Sequence, residues 1–234
     1  MREIIFDTET TGLDKDNDRI IEIGCVEMVD RYLTGRQFHV YLNPQGVIIP
    51  DEVVAIHGLT NERLKGEKKF DDIADELLEF IDGAMMIAHN ANFDISFLNA
   101  ELKRVNKPLI SIDNVIDTLA MARRKFPMGP NSLDVLCKRF GIDNSHRILH
   151  GALLDAEILA DVYIELIGGK QGTLGFYNSN GRHLNTENGS NISYVFKIRP
   201  QALPPRLSEQ EKSMHADLVN QIGKKALWNQ FKIP

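Results

Sequence analysis

The chain has 234 residues, 43% of them apolar and 26% charged, with a formal charge of −6. At about 150 residues per domain this allows one domain with a large remainder or two small ones, and a near-average globular composition excludes a long solenoid and bulk disorder. The acidic balance argues against a broad electrostatic grip on nucleic acid, although a site that gathers carboxylates around divalent cations carries such an excess.

In chain order, Glu3 to Thr8 has an Ile4-Ile5-Phe6 core, Arg19 to Met28 is rich in Ile and Val, and Gln37 to Leu42 alternates Phe38, Val40 and Leu42 with polar neighbours. These segments predict three consecutive strands, turned by Gly12 with the Asp14 to Asp18 cluster and then by Thr34-Gly35. After Pro50 the spacing becomes helical, with Val53, Val54 and Ile56 in one short helix and Ile73, Leu77, Leu78 and Ile81 in the next. Met85 to Ala88 predicts a short strand, followed from Asn92 by a helical stripe of Phe93, Phe97, Leu98 and Leu102. Val115-Ile116 supplies one more strand before Asp117 caps a helix through Ala122, and two further helices are expected over Ser132 to Phe140 and Gly151 to Ile167. Strands first, then helices with later strands entering by crossover, indicate a mixed α/β sheet flanked by helices over residues 1–168.

At Gly168-Gly169 the composition changes. The stretch from Tyr177 to Asn191 is rich in Asn and has almost nothing to bury, and Pro200, Pro204 and Pro205 prolong it, which predicts a flexible linker over 169–206. From Ser208 helical spacing returns at Leu218, Ile222 and Leu227, with Trp228 and Phe231 close behind. A tail of this size, over 207–234, is expected to fold on a partner.

Three segments carry chemistry. Asp7 and Glu9 lie at the end of the first strand, where period-two alternation points both to one face about 7 Å apart. Two carboxylates so placed repel unless a cation sits between them, and oxygen donors suit Mg²⁺ or Mn²⁺ better than zinc. In His89-Asn90-Ala91-Asn92-Phe93-Asp94, Asn90 or Asn92 can cap a new helix, Phe93 anchors it, and Asp94 falls in the first turn where the helix dipole favours an anion. In the third segment, His150 and Asp155 would stand about 140° apart on one continuous helix. Gly151 offers the break that puts His150 on the incoming loop and Asp155 in the first turns of the last helix, whose Ala152, Leu159, Ala160 and Tyr163 pack inward. Taken singly, each motif also fits a strand end meeting water, ordinary helix-start chemistry or a surface His–Asp pair.

Taken together, an Asp-x-Glu, an Asn-x-x-Phe-Asp and a His-x4-Asp in this order resemble the DEDDh family of 3′-to-5′ exonucleases. The resemblance implies an RNase H-like fold and two divalent ions held by Asp7, Glu9, Asp94 and Asp155. It further implies His150 as the base that takes the proton from the attacking water, and a nucleoside 5′-monophosphate product. Around that centre, Thr10, Leu13 and Phe93 are expected to meet the terminal nucleotide, and Ile56-His57-Gly58-Leu59-Thr60 resembles the stretch that lines the family's nucleotide pocket. His57 before Gly58 equally fits a helix C-terminal histidine. Arg123-Arg124-Lys125 and His146-Arg147 are candidate phosphate contacts.

Past the domain, Gln171-Gly172-Thr173-Leu174-Gly175-Phe176 has the form Gln-x-x-Leu-x-Phe. It resembles the peptide by which replication proteins dock on the bacterial sliding clamp, with Gln171, Leu174 and Phe176 as anchors. This layout is similar to the proofreading branch of the family. It implies a beta sliding clamp at 171–176, the alpha subunit of polymerase III at Leu218, Ile222, Leu227, Trp228 and Phe231, and a frayed or single-stranded DNA 3′ end as substrate, with a small accessory subunit left open. The alternatives are an RNA-trimming exonuclease of the same family and a non-catalytic adapter between clamp and polymerase. No run approaches the roughly 18 apolar residues of a membrane span, and the N-terminus enters charged sequence at once. A soluble, cytoplasmic chain is expected, with Cys25 and Cys137 as reduced thiols.

Overall fold

The computed structural model describes residues 1–169 and 208–223, which belong to two separate units. In the first unit, strands β1 (Arg2–Thr10), β2 (Ile20–Val29) and β3 (Tyr32–Tyr41) form an antiparallel meander. Two short strands, β4 (Met85–Ala88) and β5 (Val115–Asp117), then add in parallel beyond β1, giving a five-stranded sheet of order β3-β2-β1-β4-β5. The helices are α1 (Asp51–His57), α2 (Asn61–Leu64), α3 (Ala74–Ile81), α4 (Ala91–Arg104), α5 (Thr118–Lys125), α6 (Leu133–Phe140) and α7 (Ala152–Leu166). The mixed, helix-flanked sheet is the architecture the sequence predicts.

The sheet is covered on both faces, which is why β1 reads as a continuous apolar run instead of an alternation. Ile4 and Phe6 pack with Leu77, Phe97 and Leu98 on the α3–α4 side, while Ile5 packs with Val26, Met28, Leu159 and Tyr163 on the α7 side. Arg19 pins the β1–β2 loop by a two-pronged pair to Glu101 of α4, with Nε–Oε1 at 2.6 Å and Nη2–Oε2 at 2.7 Å. Asp117 caps α5 as expected, and its Oδ1 accepts from Leu119 N at 2.9 Å and also from Asn90 N at 3.0 Å, tying the ends of β4 and β5 together.

Two local expectations are corrected. The second hairpin turns at Asp30-Arg31, with φ of 51° and 71°, a tight reversal whose twist matches that of the strands. Thr34-Gly35 instead lies within β3, where the register with β2 slips between Val26 and Met28, and Gly35 takes the left-handed backbone (φ 83°) that this bulge needs. Asn90 stands at the N-cap of α4 with φ of 67° and makes no side-chain cap bond, because the chain reverses there directly out of β4.

In the second unit α8 (Glu209–Ile222) is opened by a capping box between Ser208 and Glu211. It leaves Met214, Leu218 and Ile222 exposed. No helix among the described residues is long and apolar enough to cross a membrane. The peptide Gln171, Leu174, Phe176 and the residues Leu227, Trp228 and Phe231 lie outside the described residues. Cys25 and Cys137 are buried free thiols.

Candidate active site

Asp7 and Glu9 follow Ile5 at period two, so they extend the face of β1 that meets α7. Directly across on β2, Gly24 pairs with Asp7. A Cβ at Gly24 would stand 2.2 Å from the Leu153 main-chain nitrogen and 2.3 Å from the Ala152 carbonyl carbon. Only glycine lets the first turn of α7 rest on the sheet here, and that turn delivers Asp155, itself buried. An isolated glycine within a strand pattern is a sequence sign of close backbone approach, so Gly24 could have been found by that rule.

Asp94 arrives from the other face, in the first turn of α4. Thr8 fixes it by donating its N–H (3.1 Å) and its hydroxyl (2.7 Å) to Asp94 Oδ1. His150 sits on the loop before α7, as the Gly151 break predicts, and its main-chain N–H donates to the Ile56 carbonyl at 3.0 Å. The five acidic and imidazole side chains Asp7, Glu9, Asp94, His150 and Asp155 thus line one pocket of about 290 Å³, with Phe93 in its wall. Ligand atoms of Glu9, His150 and Asp155 lie within 4.8 Å of one another.

Their electrostatics follow from burial that Arg147 and Thr8 compensate only in part. Burial pushes the Glu9 carboxyl up to about 8, helped by Asp155, by Glu22 directly across β2, and by Asp94. Asp7 is raised well above the usual carboxylate range by burial first and then by Asp94, Glu9 and Asp155. Burial also raises Asp94 to about 7, although the two Thr8 hydrogen bonds pull it back. Near neutral pH such a cluster retains protons, or exchanges them for cations.

Further polar side chains that the motifs do not name, among them His89, Asp134 and Arg147, line the pocket. His89 places Nδ1 2.9 Å from the Thr118 hydroxyl and buries Nε2 without a hydrogen bond. Asp134 binds Arg147, whose guanidinium turns inward to Asp155 instead of outward as a free phosphate contact. His89 directly precedes Asn90 of the second motif, whereas no local pattern marks Asp134 as a neighbour of the motif residues. His146 lines a different pocket, with Glu27 and Asp143, and Lys125 donates to the Glu165 and Leu166 carbonyls at 3.2 and 3.3 Å at the end of α7.

Of the expected nucleotide contacts, Phe93 lines this pocket. Thr10 spends its hydroxyl on the Gly12 carbonyl at 2.6 Å, and Leu13 is 87% exposed on the β1–β2 loop. Ile56 contributes its carbonyl to the His150 loop, with its side chain exposed. His57 is buried at the end of α1, where its Nδ1 accepts from Leu59 N at 3.0 Å. Burial, and then His150, lower its pKa, so the ring is neutral. Gly58 follows in the left-handed C-cap position, so His57 holds the helix-end place weighed for it.

The family model described as "Exonuclease" (RNase T type) matches residues 4–163. Among curated relatives, DNA polymerase III subunit epsilon of Rickettsia conorii is 46% identical, over 97% of this chain and 98% of the relative. The protein of the same name from Escherichia coli K12 is 40% identical, over 97% of each. The chain belongs to the exonuclease family and, within it, to the group of DNA polymerase III epsilon subunits. Among solved structures, exonuclease X in complex with 5′-overhanging duplex DNA shares 27% identity at a TM-score of 0.53, covering 71% of this chain and 90% of that one. E. coli exonuclease I with a dA16 oligonucleotide shares the fold at 18% identity and a TM-score of 0.59, over 70% of this chain and 40% of that one.

Proposed function

We propose that this chain is the proofreading subunit of a bacterial replicative DNA polymerase, a metal-dependent 3′-to-5′ exonuclease that removes mispaired 3′-terminal nucleotides as 5′-mononucleotides. The observation that carries the reading is the meeting of Asp7, Glu9, Asp94, His150 and Asp155, from three distant segments, in one pocket. The relatives, 40–54% identical, bear the epsilon-subunit name.

The donor set fits hard divalent cations, since it is built of carboxylates on rigid elements whose mutual repulsion is otherwise relieved only by protons and, in part, by Arg147. Mg²⁺ or Mn²⁺ ions held by Asp7, Glu9, Asp94 and Asp155 would polarise the attacking water and neutralise charge on the leaving 3′ oxygen. His150, half-exposed at the rim, takes the water's proton on a ring nitrogen. The carboxylates fix positions and do not attack. Phe93 offers its ring to the terminal base. The water oxygen bonds to phosphorus as the P–O3′ bond breaks, the released nucleotide carries the 5′ phosphate, and the leaving 3′ oxygen takes a proton from solvent to become the 3′ hydroxyl of the shortened strand.

The remaining assignments complete this reading. Gln171, Leu174 and Phe176 dock on a sliding clamp, while Leu218, Ile222, Leu227, Trp228 and Phe231 bind the polymerase alpha subunit in the cytoplasm. In α8, Leu218 and Ile222 are 55% and 49% exposed, which supports a helix face kept for a partner. A tether of this kind raises the exonuclease's effective concentration at the primer end, so weak intrinsic DNA affinity suffices.

The test follows mononucleotide release by the full chain from a primer with a mispaired 3′ end. Release is expected with Mg²⁺, to stop with chelator, and to fall roughly 1000-fold or more in Asp7→Ala and Glu9→Ala. Chelator-resistant release, or equal rates on RNA and DNA oligomers, would overturn the reading.

A further inference from the structure

Arg147 is the side chain through which the pocket's charge is balanced from within the protein. Its side chain is 8% exposed, and Nε and Nη2 grip both oxygens of Asp155, the second at 2.7 Å. Nη1 lies 2.9 and 3.1 Å from the two oxygens of Asp134, whose side chain is 58% exposed. Nη2 also lies 3.0 Å from Nδ1 and 3.3 Å from Nε2 of His150. Among the described residues lining the pocket, Arg147 is the one lysine or arginine, set against the carboxylates of Asp7, Glu9, Asp94, Asp134 and Asp155.

A carboxylate held side-on by a guanidinium has committed a lone pair on each oxygen in its own plane. Asp155 is therefore pre-positioned but occupied at the point where its oxygens approach those of Glu9 and the ring of His150. An incoming cation needs at least one of those oxygens. Asp134, on the outer side, offers the guanidinium a second carboxylate to stay with when Asp155 is surrendered. We propose that Arg147 is a built-in counter-cation and positioning residue. It holds Asp155 and His150 in place while divalent ions are absent, and it yields Asp155 to an arriving ion while keeping its hold on Asp134. The inference rests on the metal-dependent reading above and adds to it a competition between a side chain and the ion.

The test measures Mn²⁺ binding to the full chain, by the paramagnetic signal of the free ion, together with thermal unfolding in chelator. In Arg147→Gln the metal-free protein is expected to melt lower, while Mn²⁺ binds about 5- to 10-fold tighter than to wild type. Asp134→Asn strengthens the grip of Arg147 on Asp155 and is expected to weaken Mn²⁺ binding several-fold. In the Arg147→Gln background the same change has no effect, because Asp134 acts only through the guanidinium. If Arg147→Gln does not fold without metal, Arg147→Lys, which keeps the charge and loses the fork, is read in its place and should tighten Mn²⁺ by a smaller factor. Equal or weaker Mn²⁺ binding on loss of the fork overturns the proposal. So does an equal effect of Asp134→Asn in both backgrounds, which is what simple through-space charge would give. Failure of the wild-type chain to bind Mn²⁺ at all would instead overturn the metal-dependent reading itself.

Discussion

Glu101 and Glu9 are both buried glutamates, 0% and 8% exposed, yet the protein treats them in opposite ways. Glu101 receives the fork of Arg19 and a third contact from Arg104 Nη1 at 3.0 Å. Glu27 is handled likewise, with the Arg2 guanidinium at 2.6 Å, the Thr34 hydroxyl at 2.8 Å and Arg36 at 3.0 Å holding its carboxyl below the usual range. At the end of β1 the acids face one another, and Arg147 is the one guanidinium among them. A buried carboxylate with enough donors of its own is scaffold. One left short by its own chain marks where something from outside must bring positive charge.

The sharpest way to break this contrast is to turn a scaffold carboxylate into an uncompensated one. Arg19→Met leaves Glu101 with Arg104 and the long Ile20 N–H contact at 3.4 Å, and should cost about 3 kcal/mol of stability, since removing one partner of a buried pair strands the other. Denaturant unfolding measures this, and added Mn²⁺ should not restore the loss because no pocket opens at Glu101. The next effect comes from moving one acid out of the cluster. Gly24→Val would drive a side chain into the backbone of Ala152 and Leu153, at a cost of about 1–3 kcal/mol. It also shifts Asp155 away from Glu9, and about 1 Å of misplacement can cost on the order of 100-fold in turnover. An unchanged exonuclease rate in the Gly24→Val variant would show that the α7 contact does not set the site.

How much of this is readable beforehand depends on whether the signal is local. The run Ile4-Ile5-Phe6 and the period-two pair Asp7 and Glu9 announce a strand buried on both faces that ends in acids, and Gly151 announces the break that separates His150 from Asp155. The turn at Asp30-Arg31 escapes sequence reading because Thr34-Gly35 has the commoner turn residues, while arginine seldom takes positive φ. Gly35 needs its glycine for a bulge instead. Asn90 has the chemistry of a cap, but the route out of β4 puts it in a left-handed conformation where its side chain cannot serve. Asp134 approaches the site only through the tertiary packing of α6, which no spacing along the chain encodes, whereas His89 stands beside Asn90 of the second motif.

The pH dependence of the metal-free protein separates the two classes of carboxylate further. Glu9 titrates at about 8 in the folded chain against 4.5 as a free side chain, and Asp94 at about 7 against 3.8. The folded state therefore holds protons that the unfolded chain has already released, so the stability these groups contribute is full below about pH 4 and is lost as pH rises to about 8. Thermal midpoints in chelator should fall across that window by several degrees and level off above it, while saturating Mn²⁺ should flatten the curve by replacing the protons. Glu9→Gln should flatten it in part in chelator, because the amide cannot ionise while Asp94 still titrates. A midpoint that rises through the window would mean that the acids are compensated within the chain after all.

The smallest expected effect concerns Asp94, which stands between the two classes because Thr8 compensates it in part. Thr8→Val keeps the main-chain donor at 3.1 Å and removes the hydroxyl at 2.7 Å, with little change of volume. A hydrogen bond to an ionised group is worth about 1.5–3 kcal/mol, and part of that loss is shared with the surviving N–H bond. The Asp94 pKa should move further up, so a cation must displace a more tightly held proton. Mn²⁺ affinity is then expected to drop by about tenfold at neutral pH, where a change of about 1.4 kcal/mol is a factor of ten. The deficit should shrink as pH rises, because above the shifted pKa both proteins present the same carboxylate. A deficit that stays constant with pH would mean that Thr8 positions Asp94 without tuning its charge, and the partial compensation assigned to it would be geometric only.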